Sequence, residues 1–396
     1  MMKYFLIFLS VSITFGKKIF VPSVVKSIQE ALYIASPNDT ILVFPGRYTE
    51  NIVWPNKQSL VLISKAGPKS TIIDGSKRGR VITFTGPLDT TTVLKGFTIT
   101  NGLAKGTGGT GSGGGILCKS KASPLIEGNI IIENESHDDG GGISCMSNSS
   151  PVIRNNNIQD NTANDGGGIC ISHSSPVVTN NDVINNSTRM YGGGICVYGR
   201  SSAKLLENLI TSNKAGIGGG ICLYDSASCE ILYNHIIGNA SNDGGGIACY
   251  YSSSPKIIGN IIEKNRAYWR GGGINCFNGS SPYLYETKIL NNVADANGGG
   301  ISCWRNASPK IVKCEIIENR KNGLHAIENS TPYLDSCTVT GNIPLAIQND
   351  DSLEIKAVHT YWGDNSGPYH PDFNPTGKGD ALKGNIFFKP WIVKKP

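Results

Sequence analysis

Five aromatic residues recur at one position of a repeated segment in the second half of the chain. They are Tyr198, Tyr224, Tyr250, Phe277 and Trp304, and successive members are 26 or 27 residues apart. If the copies stack in space, the rings form a strip with one ring about every 4.8 Å. An exposed strip of this kind suits the stacking of sugar rings along an extended chain. The alternative is a ladder that only stiffens a sheet or lies under a loop, since cross-strand packing also produces such ladders.

Acidic residues precede several Gly-Gly-Gly triplets of the same segment. Asp139 and Asp165 occupy this place in neighbouring copies, and Asp243 occupies it further on. Carboxylates one copy apart would approach the separation of about 5–5.5 Å found in retaining glycosidases. Their oxygens could equally hold a calcium ion, and no other cofactor is predicted. Because Asp-Gly is also an ordinary turn sequence, Asp139 and Asp165 remain candidates for an acid pair, a calcium site or a simple turn.

Further aromatic and basic residues lie in the turns before the glycine triplets. This group is expected to flank the aromatic strip, and its members are Tyr191, Tyr268, Trp269, Arg189 and Arg270. The six histidines of the chain share no common spacing, which argues against a histidine-dependent catalytic triad.

Eleven cysteines fall mainly into two columns of the repeat. The inward column contains Cys118, Cys145, Cys249, Cys276 and Cys303, and aliphatic residues replace cysteine there in other copies. Cysteine used in this way packs as a small hydrophobe. Cys170, Cys196 and Cys222 come one place earlier and are expected to face outward. Stacked Cβ atoms about 4.8 Å apart are wider than the roughly 3.8 Å of a disulfide, so bridges between adjacent copies would be strained. The disulfide pairing stays open.

The segment that positions all these residues begins with Gly-Gly-Gly-Ile. It starts at 113, 140, 166, 192, 218, 244, 271 and 298, and a ninth copy runs from Lys321. A fixed period of this length indicates stacked structural units. In Ile301–Trp304, inward apolar residues alternate with outward ones, as in a strand with one buried face. Ile311 and Ile316 continue the inward set, and the Asn319 position is asparagine in every copy.

Short strands joined by tight turns predict a parallel β-helix, in which equivalent residues of successive coils become neighbours. Stacked asparagine amides would then form hydrogen-bonded ladders along the axis. A leucine-rich repeat has a similar period, but Gly-Gly-Gly and Ser-Ser-Pro are poor sequences for the helix-like backing that it needs. The β-helix is therefore the preferred prediction, with Ile153 and Ile257 among its buried residues.

The spacing Pro-x-Ile-x-x-Asn-x-Ile-x-x-Asn between the Gly-Gly-Gly-Ile runs resembles the repeats of the pectin-lyase-like superfamily. The resemblance covers most of the mature chain and implies an all-β, right-handed parallel β-helix solenoid with rungs of about 26 residues. It implies no single activity, because the superfamily includes lyases, hydrolases, esterases, adhesins and proteins of no known activity. The motifs of its polygalacturonases, pectate lyases and pectin methylesterases cannot be placed here. The catalytic residues are therefore unknown at this stage.

The chain divides into four predicted segments. Residues 1–16 resemble a secretory signal peptide, 17–104 form an N-terminal cap with entry rungs, 105–343 form a regular β-helix of nine rungs, and 344–396 form a C-terminal cap. In the N-terminal cap, Ser23–Ala35 is predicted to be a helix with Ser23 as its N-cap. A helix there would cover the open end of the coil.

The charge pattern bounds the possible partners. The net charge is +6 with both signs scattered, so no nucleic-acid partner is predicted. No segment after the first is apolar enough to span a membrane. The mature protein is expected to be soluble and either secreted or on the cell surface. Its oligomeric state stays open.

Two functions remain. The first is a secreted β-helix protein that binds an extended polysaccharide or cell-surface glycan, or serves as a surface or matrix scaffold, without catalysis. The second is a polysaccharide lyase or glycoside hydrolase of the pectin-lyase-like superfamily. Three or more charged side chains meeting beside the aromatic strip would favour the enzyme, since such chemistry needs acids and bases at one place.

Overall fold

The computed structural model describes residues 16–107 and 109–394 as a β-solenoid of about 13 turns. Its strands run parallel and form three long sheets of 15, 14 and 12 strands, with two short sheets of four and three strands. The predicted signal peptide lies outside the described residues apart from Gly16. Each coil passes through the long sheets in turn, so that residues one period apart become neighbours.

The bounds of the strands follow, sheet by sheet. Sheet 1 has 15 strands: Lys18–Val21, Thr40–Val43, Val61–Ser64, Val93–Lys95, Leu125–Glu127, Val152–Arg154, Val177–Thr179, Lys204–Leu206, Glu230–Leu232, Lys256–Ile258, Tyr283–Tyr285, Lys310–Val312, Tyr333–Asp335, Ile355–Val358 and Ile386–Phe387. Sheet 2 has 14: Ile52–Val53, Ile82–Thr85, Ile116–Lys119, Ile143–Met146, Ile169–Ser172, Ile195–Tyr198, Ile221–Leu223, Ile247–Tyr250, Ile274–Phe277, Ile301–Trp304, Leu324–Ile327, Ile347–Asn349, Gly379–Lys383 and Pro368–Tyr369.

The remaining sheets complete each coil. Sheet 3 has 12 strands: Gly46–Thr49, Thr71–Asp74, Thr98–Thr100, Ile130–Ile132, Asn157–Gln159, Asp182–Ile184, Leu209–Thr211, His235–Ile237, Ile261–Glu263, Lys288–Leu290, Glu315–Ile317 and Thr338–Thr340. Sheet 4 has four: Leu103–Ala104, Glu135–Ser136, Thr162–Ala163 and Ser187–Thr188. Sheet 5 has three: Ala240–Asp243, Arg266–Arg270 and Val293–Ala294.

The inward residues of the three long sheets form one continuous apolar core. Ile153 and Ile257 are both fully buried in it, as the alternation predicts. The inward cysteines, such as Cys276 and Cys303, lie in the same core. These residues stack because the repeat keeps the register from coil to coil, as in the pairing of Ile274 with Ile301. The predicted parallel β-helix is thereby confirmed.

Two columns of buried asparagines run along the axis at the turns on either side of sheet 3. Asn213 illustrates their bonding: its Oδ1 accepts from the backbone N–H and the Nδ2 of Asn186, at 2.9 and 3.1 Å. Its own Nδ2 donates to the Val183 carbonyl at 2.9 Å and to Asn239 Oδ1 at 3.0 Å. The buried amide of Asn213 is thus satisfied by the coils before and after it, and the same Asn-to-Asn bonds recur along both columns, which confirms the predicted ladders.

The glycine triplets allow the coils to approach closely where the chain enters sheet 2. Gly166 has a φ of 63°, in the left-handed region that favours glycine. A Cβ on Gly167 would lie 2.7 Å from the carbonyl oxygen of Gly193 in the next coil, which is too close for a carbon atom. Side chains are therefore excluded from this turn.

The described residues contain one helix, α1 (Ile28–Ile34), which contacts the first strands of sheets 1 and 2. Its residues Ile28, Ala31 and Leu32 are buried. The predicted N-cap, Ser23, is wrong, because the helix begins five residues later. Ser27 is the N-cap, and its Oγ accepts from the Glu30 N–H at 3.1 Å.

Candidate functional site

The aromatic column is defined by Tyr198, Tyr224, Tyr250, Phe277 and Trp304, which follow one another on the outward face of sheet 2. The rings of Tyr198 and Tyr224 are parallel to within 6°, with centroids 4.8 Å apart. The ring of Phe277 lies 4.9 Å from that of Tyr250 and 4.1 Å from that of Trp304. The predicted succession of rings in five neighbouring coils is confirmed.

The expected exposure of this column is wrong at its centre. Tyr250 is 4% exposed and Phe277 is 6% exposed, whereas the other three rings are half-buried. The cause is the turn after the strand, where the Tyr251 ring packs edge-on against Phe277, with ring centroids 5.6 Å apart. The Arg305 guanidinium also lies 5.3 Å from the Phe277 ring. Only the two ends of the column can therefore offer ring surface to a ligand.

Cys170, Cys196 and Cys222 point away from the main core, as predicted, but they are buried and not exposed. The turn before sheet 2 folds over them, and a Cβ on Gly166 would lie 2.7 Å from the Cβ of Cys170. Tyr191 in the same turn packs on the small apolar cluster that contains Cys222. The sequence reports which side of the sheet a residue faces, but not that a turn covers it.

The acidic cluster is defined by Asp138, Asp139 and Asp165, in the turns that lead into neighbouring strands of sheet 2. Asp139 and Asp165 are partners in a parallel β-bridge, which confirms that they lie one coil apart. Tyr198 Oη donates to Asp139 Oδ2 at 2.6 Å, and Tyr224 Oη donates to Asp165 Oδ2 at 3.4 Å. The cluster thus meets the first two rings of the aromatic column.

Burial dominates the electrostatics of the acidic cluster. It raises the pKa of Asp139 to about 6, against the lowering effect of the Tyr198 hydrogen bond, and the charges of Asp138 and Asp165 raise it further. Burial also raises the pKa of Asp165 to about 6, and hydrogen bonds from Tyr191 and Tyr224 oppose the shift. Two neighbouring carboxyl groups can therefore exchange protons near neutral pH.

An open depression of about 380 Å³ adjoins the cluster. It is lined by Gly109, Asp138, Asp139, Met146, Ser147, Ser172, His173 and Tyr198. His173 is exposed, and its Nδ1 lies 2.9 Å from Ser172 Oγ. The rim on the side of Gly109 is held by Asp138, whose Oδ2 accepts from the Gly109 N–H at 2.9 Å. The depression brings carboxyl, imidazole and phenol groups to one place.

Cations gather at the other end of the aromatic column. The Arg270 guanidinium lies 4.2 Å from the centre of the Trp304 ring, and that of Arg305 lies 5.3 Å from it. Arg305 also pairs with Glu328, at 3.1 Å between Nε and Oε2. Asp243 accepts from the Arg270 N–H at 3.2 Å. The aromatic column therefore has an acidic end at Tyr198 and an arginine-bearing end at Trp304, called its basic end below, where Asp243 and Glu328 accompany the two arginines.

The flanking residues expected around the aromatic strip divide into two groups. Tyr191 and Arg270 contact the column, Tyr191 through its ring 4.7 Å from that of Tyr224. Arg189 lies instead on the rim of a larger, polar depression of about 690 Å³ beside sheet 4, whose lining also includes His137 and Asn164. Tyr268 and Trp269 stand exposed on sheet 5.

Sequence reasoning missed three contributors to this face: Tyr251, Arg305 and the depression at His173. Each of the three lies in, or is formed by, a turn outside the alternating strands. The repeat period alone therefore does not predict its position. The period also does not predict the hydrogen bond from Tyr198 to Asp139, which lies two coils and 59 residues away.

In the described ranges, no group of three or more His, Cys, Asp or Glu side chains is arranged to hold a metal ion. A calcium ion at Asp139 and Asp165 stays a prediction. Within 16–107 and 109–394, no helix is both long and apolar enough to span a membrane.

The comparisons with known proteins agree with this architecture. The family model described as "Right handed beta helix region" matches residues 51–215 and 193–365, which together make up more than half of the chain. The chain therefore belongs to the right-handed β-helix family, consistent with the pectin-lyase-like superfamily. No curated protein sequence matches it.

Two solved structures resemble the chain over most of its length. A double mutant of the periplasmic alginate epimerase AlgG has a TM-score of 0.53 at 14% identity, with 87% of this chain and 83% of that chain covered. The A-module of the mannuronan C-5 epimerase AlgE6 of Azotobacter vinelandii has a TM-score of 0.51 at 13% identity, with 91% and 93% covered. At these identities the similarity shows a common fold.

Proposed function

We propose that the protein is an enzyme that acts on an extended polysaccharide bound along the outward face of sheet 2. The observation that carries this proposal is that Asp138 and Asp139 line an open depression beside Tyr198, with Asp165 one coil away from Asp139. Such a meeting of charged side chains favours an enzyme over a protein that only binds.

The face supplies the contacts that a sugar chain needs. The rings of Tyr198 and Tyr224 stack on each other and are only half-buried, so their remaining apolar surface can contact the C–H groups of a sugar ring. The depression of about 380 Å³ lies within the range of roughly 300–1,000 Å³ that is common for small-ligand sites. Trp304 continues the same face at its basic end, so a chain of several sugars could contact both ends.

The acidic cluster supplies the chemistry. A general acid works best when its pKa lies near the working pH, and the pKa of Asp139 is raised to about 6. Asp165 lies one coil away with a pKa of about 6, so one carboxyl can carry a proton while the other is ionised. Paired carboxyls of this kind can act as acid and base, or as acid and nucleophile, in the cleavage of a glycosidic bond. The class of reaction proposed is therefore acid–base cleavage, by hydrolysis or elimination.

The related structures support a polysaccharide substrate. The two similar structures belong to an alginate epimerase and a mannuronan C-5 epimerase. They share the fold with this chain at low identity, so their substrates suggest a class of substrate without identifying it. We also propose that the protein is exported, because residues 1–16 read as a signal peptide. N-terminal sequencing of the mature protein tests this, and an uncleaved Met1 would contradict it.

A non-catalytic binding protein is the second candidate, and one observation favours it. The Tyr198–Asp139 contact recurs one coil later as Tyr224–Asp165, as expected if the carboxyls only hold the tyrosine rings in place. In that case the face would bind polysaccharide without changing it.

One experiment separates the two functions. The mature protein is incubated with alginate, polygalacturonate, xylan and dextran. Each mixture is assayed for new reducing ends and, by ultraviolet absorbance, for unsaturated ends. Binding is measured separately, as retardation of the protein in gels that contain each polysaccharide. The enzyme proposal predicts new ends with the wild type and loss of more than about 100-fold with Asp139→Asn, since general acid–base groups contribute about 10²–10⁴-fold. The exposed Asp182 on sheet 3 provides the matched control, Asp182→Asn, which should keep full activity.

Retardation without any new ends would establish the binding protein and refute the enzyme. Equal activity of wild type and Asp139→Asn would refute the role given to the acidic cluster.

A further inference from the structure

Tyr268 and Trp269 form an exposed aromatic pair on sheet 5, outside the aromatic column. Their exposed fractions are 51% and 60%, so both rings present most of their surface to solvent. Exposed aromatic residues that follow one another, unlike single scattered ones, are typical of interaction sites. The pair is therefore a candidate contact site in its own right.

The backbone is built to display this pair. Along sheet 5 the register shifts between Ser241 and Asp243, where one residue of that strand opposes both Tyr268 and Trp269 of the next. This is a β-bulge, a device that re-aims side chains and is frequent beside functional sites. The bulge is anchored on its other side, because the Trp269 carbonyl accepts from the N–H groups of Ala296 and Asn297 at 3.0 and 3.3 Å. The exposed rings thus stand on a fixed support.

The polar groups around the pair suit a sugar ring. The Arg266 guanidinium lies 5.4 Å from the centre of the Tyr268 ring. Its Nη2 also contacts both carboxylate oxygens of Asp295, at 2.9 and 3.0 Å, and both side chains are about half exposed. A sugar ring offers an apolar face to an aromatic ring and hydroxyls that need donors and acceptors at its edge. Arg266 provides the donors and Asp295 the acceptors. A purely apolar partner would not use these polar groups.

The pair is continuous with the proposed polysaccharide face. Arg270 follows Trp269 directly in the same strand, and its guanidinium lies 4.2 Å from the centre of the Trp304 ring at the basic end of the aromatic column. One strand therefore links the exposed pair to the column. Because Trp269 is next to Arg270 in the chain, a long polymer that contacts Trp304 can also contact Trp269.

We propose that Tyr268 and Trp269 form a second sugar-binding platform, which holds a ring of the same polysaccharide beside the aromatic column. This proposal rests on the proposed function, because it requires that the protein bind polysaccharide. It adds a binding site that lies outside the acidic cluster and takes no part in the chemical step.

The test compares Tyr268→Ala and Trp269→Ala with wild type in gels that contain alginate, polygalacturonate, xylan or dextran. The matched control is Tyr33→Ala, which removes an equally exposed tyrosine, 60% exposed, on helix α1. Each test variant should bind the retarding polysaccharide about two- to tenfold more weakly, the loss expected from one aromatic contact. Tyr33→Ala should bind as wild type does. Trp269→Phe keeps an aromatic face and should bind nearly as tightly as wild type.

The outcomes are separable. If Trp269→Ala binds as wild type does while Trp304→Ala binds more weakly, the second platform is refuted and the proposed function stands. If none of the polysaccharides retards the wild type, both proposals fail. If Trp269→Ala alters the sedimentation coefficient instead of polysaccharide binding, the pair is a protein–protein contact and the sugar platform is refuted. Unchanged circular dichroism spectra confirm that the variants fold.

Discussion

Replacing the buried carboxyl of Asp139 should make the stability of the protein less dependent on pH. The pKa of Asp139 is raised to about 6 in the folded protein, chiefly by burial, from a value near 3.8. Because the folded state holds this proton more tightly, its contribution to stability is fully present below about pH 4 and is lost as pH rises through 6. A shift of about two pKa units corresponds to about 3 kcal/mol.

Asp139→Asn removes this titration while its amide oxygen can still accept from Tyr198. Between pH 4 and pH 7.5, the stability of the variant relative to wild type should therefore improve by about 3 kcal/mol. In a chain of 396 residues this corresponds to about 4 °C in melting temperature, given the usual unfolding entropy of about 2 cal/mol/K per residue.

Differential scanning calorimetry of both proteins at the two pH values measures the difference. The control is Asp182→Asn, which removes an exposed carboxyl on sheet 3. Its difference in melting temperature from wild type should change by less than about 1 °C between the two pH values. An equal difference in melting temperature between wild type and Asp139→Asn at both pH values would refute the raised pKa. The acid–base role proposed for this residue would then lose its basis.

Three further predictions concern the scaffold and the untested cation. Asn213→Ala should destabilise the protein by about 3 kcal/mol or more, because it leaves buried partners on both neighbouring coils unsatisfied. The control Asn242→Ala, at an exposed position, should cost less than about 0.5 kcal/mol. The denaturant midpoints of the two variants measure the difference, and equal midpoints would contradict the ladder. All eleven cysteines are free and buried, and burial raises the pKa of thiols such as Cys170 and Cys222. A thiol reagent should therefore react slowly with the native protein and should label eleven thiols after denaturation. Fewer than eleven labelled thiols would reveal a disulfide. If Asp139 and Asp165 bind calcium, millimolar calcium should raise the melting temperature of wild type and not of Asp139→Asn, and calorimetry that shows no shift in either protein would reject the calcium site.

The sequence predicts the architecture well because the repeat states the same information in every copy. Alternation in Ile301–Trp304 identifies the buried face, and the period places Asp139 beside Asp165 and Phe277 beside Trp304. These are consequences of stacking alone, so they need no knowledge of the turns.

The turns carry what the sequence does not reveal. The hydrogen bond of Tyr198 to Asp139 crosses two coils, because the turn before sheet 2 folds back over the strands. The same folding buries Cys222, and the turn that contains Tyr251 buries Phe277. The start of helix α1 was missed for a similar reason: Glu50, which lies 22 and 21 residues away, accepts from the N–H groups of Ile28 and Gln29 at 2.9 and 2.8 Å.

A crystal structure of Asp139→Asn with a bound oligosaccharide tests the account most directly. The fragment would be prepared from whichever polysaccharide retards the wild type. We predict that its sugar rings lie on the outward face of sheet 2, with one ring in the depression between His173 and Tyr198 and its glycosidic oxygen within hydrogen-bonding distance of residue 139. Sugar rings bound at sheet 1 or sheet 3, with the depression occupied only by water, would contradict it.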